Sequence, residues 1–340
     1  MADTPTAATP MAFIRAMVLA FDKYGADPRD ALARARITPR QLQRPEARIT
    51  ADQMEVFSEA AMRQLDDEAL GWFSRRLPWG SYGMLCRASL GAPDLGVALK
   101  RWCRHHRLLV DDVRLGLQVS TQRAELTIEE CRGIDPRMRE FCLLTLLRYV
   151  LGYACWATDS AIPLLEASFA HAPPPHHAAY AFMFAGPVRF DAPATRISFE
   201  PRYLRLPIRR DEAALRAMLR RALPLTVLQY RRDRLLVQRV RELLPAHQTA
   251  DTLACALNMS VRTLHRQLKD EGTSLQSLKD QVRRDMAVDL LTRTRRSIKQ
   301  ITVAVGFRNE KSFTRAFGQW TGDTPTEYRR KLPSGATSGA

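Results

Sequence analysis

SVRTLHRQLKDEG, Ser260 to Gly272, is the stretch on which the reading of the fold turns. Leu264 and Leu268 are spaced four apart and so share one face of a helix. Arg262, His265, Arg266 and Lys269 fall on the opposite arc. Ser260 stands where an N-cap would. A second stretch, NEKSFTRAFGQWTG, Asn309 to Gly322, is a worn copy. Setting Ser260 on Asn309 pairs Arg262 with Lys311, Thr263 with Ser312 and Leu264 with Phe313, then Arg266 with Arg315 and Leu268 with Phe317. Lys311, Thr314 and Arg315 form the outward arc of this copy.

Each copy follows a short helical pattern and a tight turn. TADTLACALN leads to Ser260, with Leu253 and Leu257 expected inward. SIKQITVAVGFRN leads to Asn309, with Ile301 and Val305 inward and Gly306 making the turn. Helix, short turn, capped second helix is helix-turn-helix architecture. The second helix of such a unit enters the DNA major groove by its N-terminal residues. There an arginine can make two hydrogen bonds to guanine, while helix N-termini and outlying cations hold phosphates. Between the copies, residues 274–294 carry about 20 residues of helical pattern, roughly 30 Å of helix. That is close to the roughly 34 Å of one turn of B-DNA.

The charge of the whole chain agrees. Its 340 residues suggest two or three domains, and 46% are hydrophobic, enough for a sizeable core. The formal net charge is +16, which favours an anionic partner. From Leu225 onward there are 21 Lys and Arg against 11 Asp and Glu, so about a third of the chain carries most of the excess. The six cysteines include no CxxC pair, and buried, reduced thiols are the expectation. MAFIRAMVLAF is too short for a secretory signal. FCLLTLLRYVLGYACWA, Phe141–Ala157, is the longest apolar run, and Arg148 interrupts it; it reads as a core helix. A cytoplasmic, nucleoid-associated protein with no membrane partner is expected.

Upstream the pattern is mixed. Helices are predicted over Met11–Tyr24, Pro28–Ala35, Thr50–Leu65 (capped by Thr50) and Arg137–Thr158. DVRLGLQVSTQRAELTIEE reads as a β-hairpin, and EASFAH, AFMFA, VRF and RISFE as short strands. Asp211–Ala222 returns to helix. The predicted organisation is a disordered start at 1–10, an α+β domain at 11–222, and a linker at 223–234 with the boundary near Pro224. An all-α domain of two helix-turn-helix units joined by a long helix follows at 235–332, then a disordered tail at 333–340.

LACALNMSVRTLHRQLKDEGTS, VRRDMAVDLL and IKQITVAVGFRNEKSFTRAFGQWTGDTPTEYR together resemble the DNA-binding domain of AraC-type transcription regulators. The most diagnostic residues are the Gly-Phe after the fifth helix, Ser-Phe-x-Arg-x-Phe, and Thr-Gly-x-x-Pro-x-x-Tyr-Arg. The resemblance implies base contacts by Arg262, His265 and Arg266, then Glu310, Lys311 and Arg315. Ser260, Lys269, Ser297, Asn309 and Thr314 are the backbone candidates. Glu310 is the odd member: it could accept from a cytosine N4 or simply favour the helix N-terminus. FDKYGADPRDALARARITPRQL, LGAPDLGVALKRWCRH and GPVRFDAPATRISFEPRYLRLPI are similar to the arabinose-binding effector domain of a subset of these regulators. That implies a small-molecule effector or a homodimer, RNA polymerase as a partner, and activation of transcription, with no cofactor.

The same residues bear on rival readings. An enzyme with a DNA-binding tail would need an activated cysteine with a His or metal partner, and Cys86, Cys103, Cys131, Cys142 and Cys155 show none in sequence. No P-loop, GxSxG or HExxH is present. HAPPPHH, 171–177, reads as an exposed loop rather than a metal site. Trp72, Trp79, Trp102 and Trp156 read as core, with one or two able to line a ligand pocket. An architectural DNA binder without a ligand remains the third alternative.

Overall fold

The computed structural model describes residues 9–223, 230 and 232–331. Residues 1–8, most of the expected linker including Pro224, and the 333–340 tail lie outside the described residues. The chain divides into two compact units between Arg234 and Leu235.

The N-terminal unit is α+β. β1 (Thr9–Pro10) pairs antiparallel with β2 (Arg48–Ile49). Thr9 is buried, so the last two residues of the stretch read as disordered are strand. α1 (Met11–Tyr24), α2 (Arg29–Arg34) and α3 (Pro39–Gln43) lie between these strands, and α4 (Ala51–Leu65) follows. Thr50 caps α4 reciprocally: its hydroxyl accepts from the Gln53 N–H at 3.1 Å, and the Gln53 side chain accepts from the Thr50 N–H at 3.1 Å. α5 (Ser81–Leu90) and α6 (Leu95–Leu109) lead into the hairpin, β3 (Val113–Val119) and β4 (Ala124–Glu130). Leu115 faces Ile128 and Leu117 faces Leu126 across it.

α7 (Pro136–Thr158) is followed by β5 (Leu164–Ser168), α8 (Tyr180–Met183), β6 (Val188–Arg189), β7 (Thr195–Phe199) and α9 (Glu212–Leu219). The sheet order is β3-β4-β7-β5-β6. β5 and β6 are parallel and the other neighbours antiparallel. α7 is long and apolar enough to cross a membrane by length and composition, but 94% of its most apolar window is buried inside the unit. Arg148 is buried within it and donates to the Met183 carbonyl at 2.5 Å. Burial pulls its pKa down to about 10.

Four expectations need correcting. AFMFA is not a strand: Ala181–Met183 belong to α8, and Phe184 and Ala185 follow its end. Tyr180, Met183 and Phe184 are buried while Phe182 is exposed, a period of three to four that suits a helix. Trp79 is 42% exposed whereas Trp72, Trp102 and Trp156 are buried. Cys131 and Cys255 are exposed, the other four cysteines buried. Finally, the 171–177 segment is not merely an exposed loop. The fold brings Glu140 of α7 to it, 2.7 Å from His176 Nε2 and 2.9 Å from the Tyr180 hydroxyl. Among the described residues, no cluster of three or more His, Cys, Asp or Glu could hold a metal ion.

The C-terminal unit is helical throughout: α10 (Leu236–Leu243), α11 (Ala250–Ala256), α12 (Val261–Asp270), α13 (Leu275–Arg293), α14 (Ile298–Ala304), α15 (Glu310–Thr321) and α16 (Pro325–Lys331). It has two separate cores. Leu253, Leu257, Leu264 and Leu268 meet Leu236 and Val240 in the first. Ile301, Val305, Phe313 and Phe317 form the second. α13 serves both, giving Leu275 and Leu278 to the first and Ala287 and Leu291 to the second. A single continuous helix therefore ties two small cores together, neither large enough to be self-sufficient.

Candidate nucleic-acid interface

The two helix-turn-helix units are built alike from their caps upward. Thr249 caps α11 and Ser297 caps α14. The helices end in left-handed residues, Asn258 with φ 53° and Gly306 with φ 82°. Glycine adopts that conformation at no steric cost, and asparagine tolerates it better than most residues. In both turns a backbone N–H then reaches back to the preceding helix: Met259 to the Ala254 carbonyl and Phe307 to the Thr302 carbonyl, each at 3.0 Å.

The turns differ by one residue. Ser260 follows Asn258 after Met259 alone, whereas Asn309 follows Gly306 after Phe307 and Arg308. Recognition helices α12 and α15 nonetheless begin the same way. Ser260 Oγ accepts from the Thr263 N–H at 3.1 Å, and Asn309 Oδ1 accepts from the Ser312 N–H at 2.8 Å.

Side-chain direction follows from this framing. In α12, Leu264 and Leu268 are fully buried while Arg262, His265, Arg266 and Lys269 are exposed. In α15, Phe313 and Phe317 are buried while Glu310, Lys311 and Arg315 are exposed and Thr314 is half-buried. Caps Ser260, Ser297 and Asn309 are all exposed. The predicted base-reading side chains of each helix therefore share one solvent-facing arc in its N-terminal half, and Lys269 continues the arc of α12 into its last turn. Cations, hydroxyls and one carboxylate there match the donor and acceptor needs of base edges and phosphates.

Other basic residues in this unit have structural work. Arg329 donates to the Arg296 carbonyl at 2.8 Å and the Leu291 carbonyl at 3.4 Å, fastening α16 to the end of α13. The Arg283 guanidinium lies 5.3 Å from the Phe307 ring centroid. Arg308, which sequence reasoning passed over, is exposed in the longer turn just before the Asn309 cap. The one-residue difference between the two turns was its signal.

Residues 25–208 match the family described as the arabinose-binding domain of AraC transcription regulators. Residues 253–331 match a helix-turn-helix domain family. An ornithine utilization regulator of Pseudomonas aeruginosa is 28% identical over 325 residues, covering 94% of this chain and 96% of that protein. The regulator VqsM of the same species is 36% identical over 81 residues, 24% of this chain and 25% of that protein. The transcriptional activator NphR of a Rhodococcus species is 35% identical over 97 residues, 28% of this chain and 29% of that protein. These relatives are transcription regulators and not enzymes. With an arabinose-binding match over more than half of its length and a helix-turn-helix match behind it, the chain belongs to the AraC family of DNA-binding transcription regulators.

Proposed function

We propose that the chain activates transcription when a small-molecule effector binds its N-terminal domain, residues 11–222, and that residues 235–332 read the DNA site. Arg262, His265 and Arg266 of α12 read one segment of the site. Glu310, Lys311 and Arg315 of α15 read another. Ser260, Lys269, Ser297, Asn309 and Thr314 hold the phosphate backbone. The observation that carries this reading is the doubled construction: two capped helices, each with a buried apolar face and an exposed basic arc.

Because the arcs differ, with Glu310 and Lys311 where α12 has Val261 and Arg262, the two segments differ in sequence and the site for one chain is not a palindrome. Activation draws support from the Rhodococcus relative, which is a transcriptional activator. Small-molecule control draws support from the arabinose-binding match. Contact with RNA polymerase and pairing of two chains are the means by which such a regulator acts.

The test is a mobility shift with the chain's own upstream DNA, followed by transcription from that DNA with purified polymerase. A specific shift and a rise in transcript are expected. No specific shift at any physiological salt would overturn the DNA reading, and a fall in transcript would overturn activation.

A further inference from the structure

The N-terminal unit contains a cavity of about 170 Å³. A cavity of roughly 150 Å³ lined by apolar side chains accepts benzene, so the space suits one six-membered ring or a body of similar size. Met62, Leu219 and the rings of Trp79, Tyr82 and Tyr149 make its wall chiefly apolar. Glu68 is set into that wall.

The wall's carboxylates differ in their partners. Glu55 is held by Arg221 at 2.7 Å and Glu59 by Arg63 at 2.9 Å. Among the described residues, Glu68 accepts only from the backbone N–H groups of Gly80 and Tyr82, at 2.7 and 2.6 Å. A carboxylate offers about four acceptor positions, so Glu68 retains acceptor capacity. Among the described residues, no ion pair to Glu68 is formed. Burial pushes the Glu68 carboxyl above its usual range against those two hydrogen bonds, and Asp67 and Asp66 push it the same way.

The Tyr82 hydroxyl is buried against the Cys86 thiol. The Tyr82 and Tyr149 rings stand 5.3 Å apart. A chiefly apolar space with two aromatic rings and a carboxylate that, among the described residues, lacks a counter-ion is complementary to a compact cation.

We propose that this cavity is the effector site and that its ligand is a small organic ammonium, a compact apolar or ring-shaped body bearing one protonated amine that pairs with Glu68. The proposal rests on the reading that the N-terminal domain binds a small-molecule effector. The amine supplies the charge that Glu68 lacks, and the body packs on Leu219, Tyr82 and Tyr149. A carboxylate ligand would instead meet Glu68 as a like charge. Of the two arginines that line the cavity, Arg221 is already engaged with Glu55 and Arg220 is exposed to solvent.

The experiment is calorimetric titration of the full chain near neutral pH with benzylamine, benzyl alcohol and benzoate. Benzylamine should bind one per chain, and the alcohol at least about tenfold more weakly, because it replaces an ion pair to Glu68 with a hydrogen bond from a neutral donor. Benzoate should not bind. Glu68→Gln should weaken benzylamine by roughly thirtyfold or more, the loss seen when one partner of a buried charge pair is truncated. Glu68 also caps α5, so Leu219→Trp, which fills the cavity from its side, provides an independent variant.

Benzoate binding as well as benzylamine would overturn the ligand class. Benzylamine binding unchanged in both variants would overturn the cavity. A mobility shift with and without saturating benzylamine separates the two levels of the argument. Binding that the variants abolish but that leaves DNA affinity unchanged supports the site and sinks its effector role. Failure of all three probes overturns this inference and leaves control by some other effector standing.

Discussion

Leu278 and Ala287 lie on one uninterrupted helix yet belong to different hydrophobic cores, Leu278 to that of α12 and Ala287 to that of α15. The helix between them is what holds the two recognition helices in a fixed relation. Asp285, exposed on that stretch, is the place to break it. Asp285→Pro should cost about 3 kcal/mol or more of helix stability. Affinity for a DNA site carrying both segments should fall toward that for a single segment. Titrating full and half sites against the variant checks this; equal losses on both would mean that α13 does not set the spacing.

The caps give a stability prediction that is separate from DNA contact. Ser260→Ala and Asn309→Ala should each lower stability by about 1 kcal/mol, through loss of the bonds to the Thr263 and Ser312 N–H groups. Ser260→Gly should cost only a few tenths, since glycine is a tolerated cap. Urea unfolding of the variants without DNA is the measurement. No change on Ser260→Ala would show that α12 starts elsewhere.

Base and phosphate contacts leave different signatures. Arg266→Ala and Arg315→Ala should each cost about 1–3 kcal/mol at one base pair and relax specificity there. Lys269→Ala should weaken all sequences alike and reduce the salt slope by about one. Binding measured over a set of singly substituted sites and several salt concentrations distinguishes the two. A uniform loss for Arg266→Ala would reassign it to the backbone.

His106 sets a pH window for the N-terminal unit. It is buried on α6 with Nδ1 unpartnered among the described residues, and burial lowers its pKa to about 4, below the ordinary 6.5. Between those values the unfolded chain binds a proton that the folded chain refuses, so stability rises with pH across the window. The contribution is complete above about pH 6.5 and is lost as pH falls toward 4, on the order of 3 kcal/mol in all. His106→Phe, beside the Phe73 ring at 6.4 Å, should flatten this part of the curve. Denaturant midpoints from pH 7 to 4.5 for both proteins test it; parallel curves would show that His106 takes up its proton equally in the folded and the unfolded chain.

The C-terminal architecture was legible because it is local. Helix caps, the four-residue spacing of Leu264 and Leu268, and Gly306 in its turn are dictated by neighbours in sequence. The repeat doubled each signal. AFMFA was misread because a five-residue apolar run fits either period. What turned it into helix was the burial of Tyr180, Met183 and Phe184 together. The 171–177 run read as an exposed loop because Glu140, the partner of His176, lies on the distant helix α7.

The sequence by itself determined the two capped helices, their buried leucine and phenylalanine faces and their outward cations, since each depends on groups within a turn or two of chain. Only the tertiary structure decided that α13 is shared by two cores, that Trp79 opens to solvent, and that Glu68 shares a cavity with Tyr82, Tyr149 and Leu219. Those relations join residues far apart in sequence. They come into being only when apolar surface is buried between distant elements, and spacing along the chain carries no record of them.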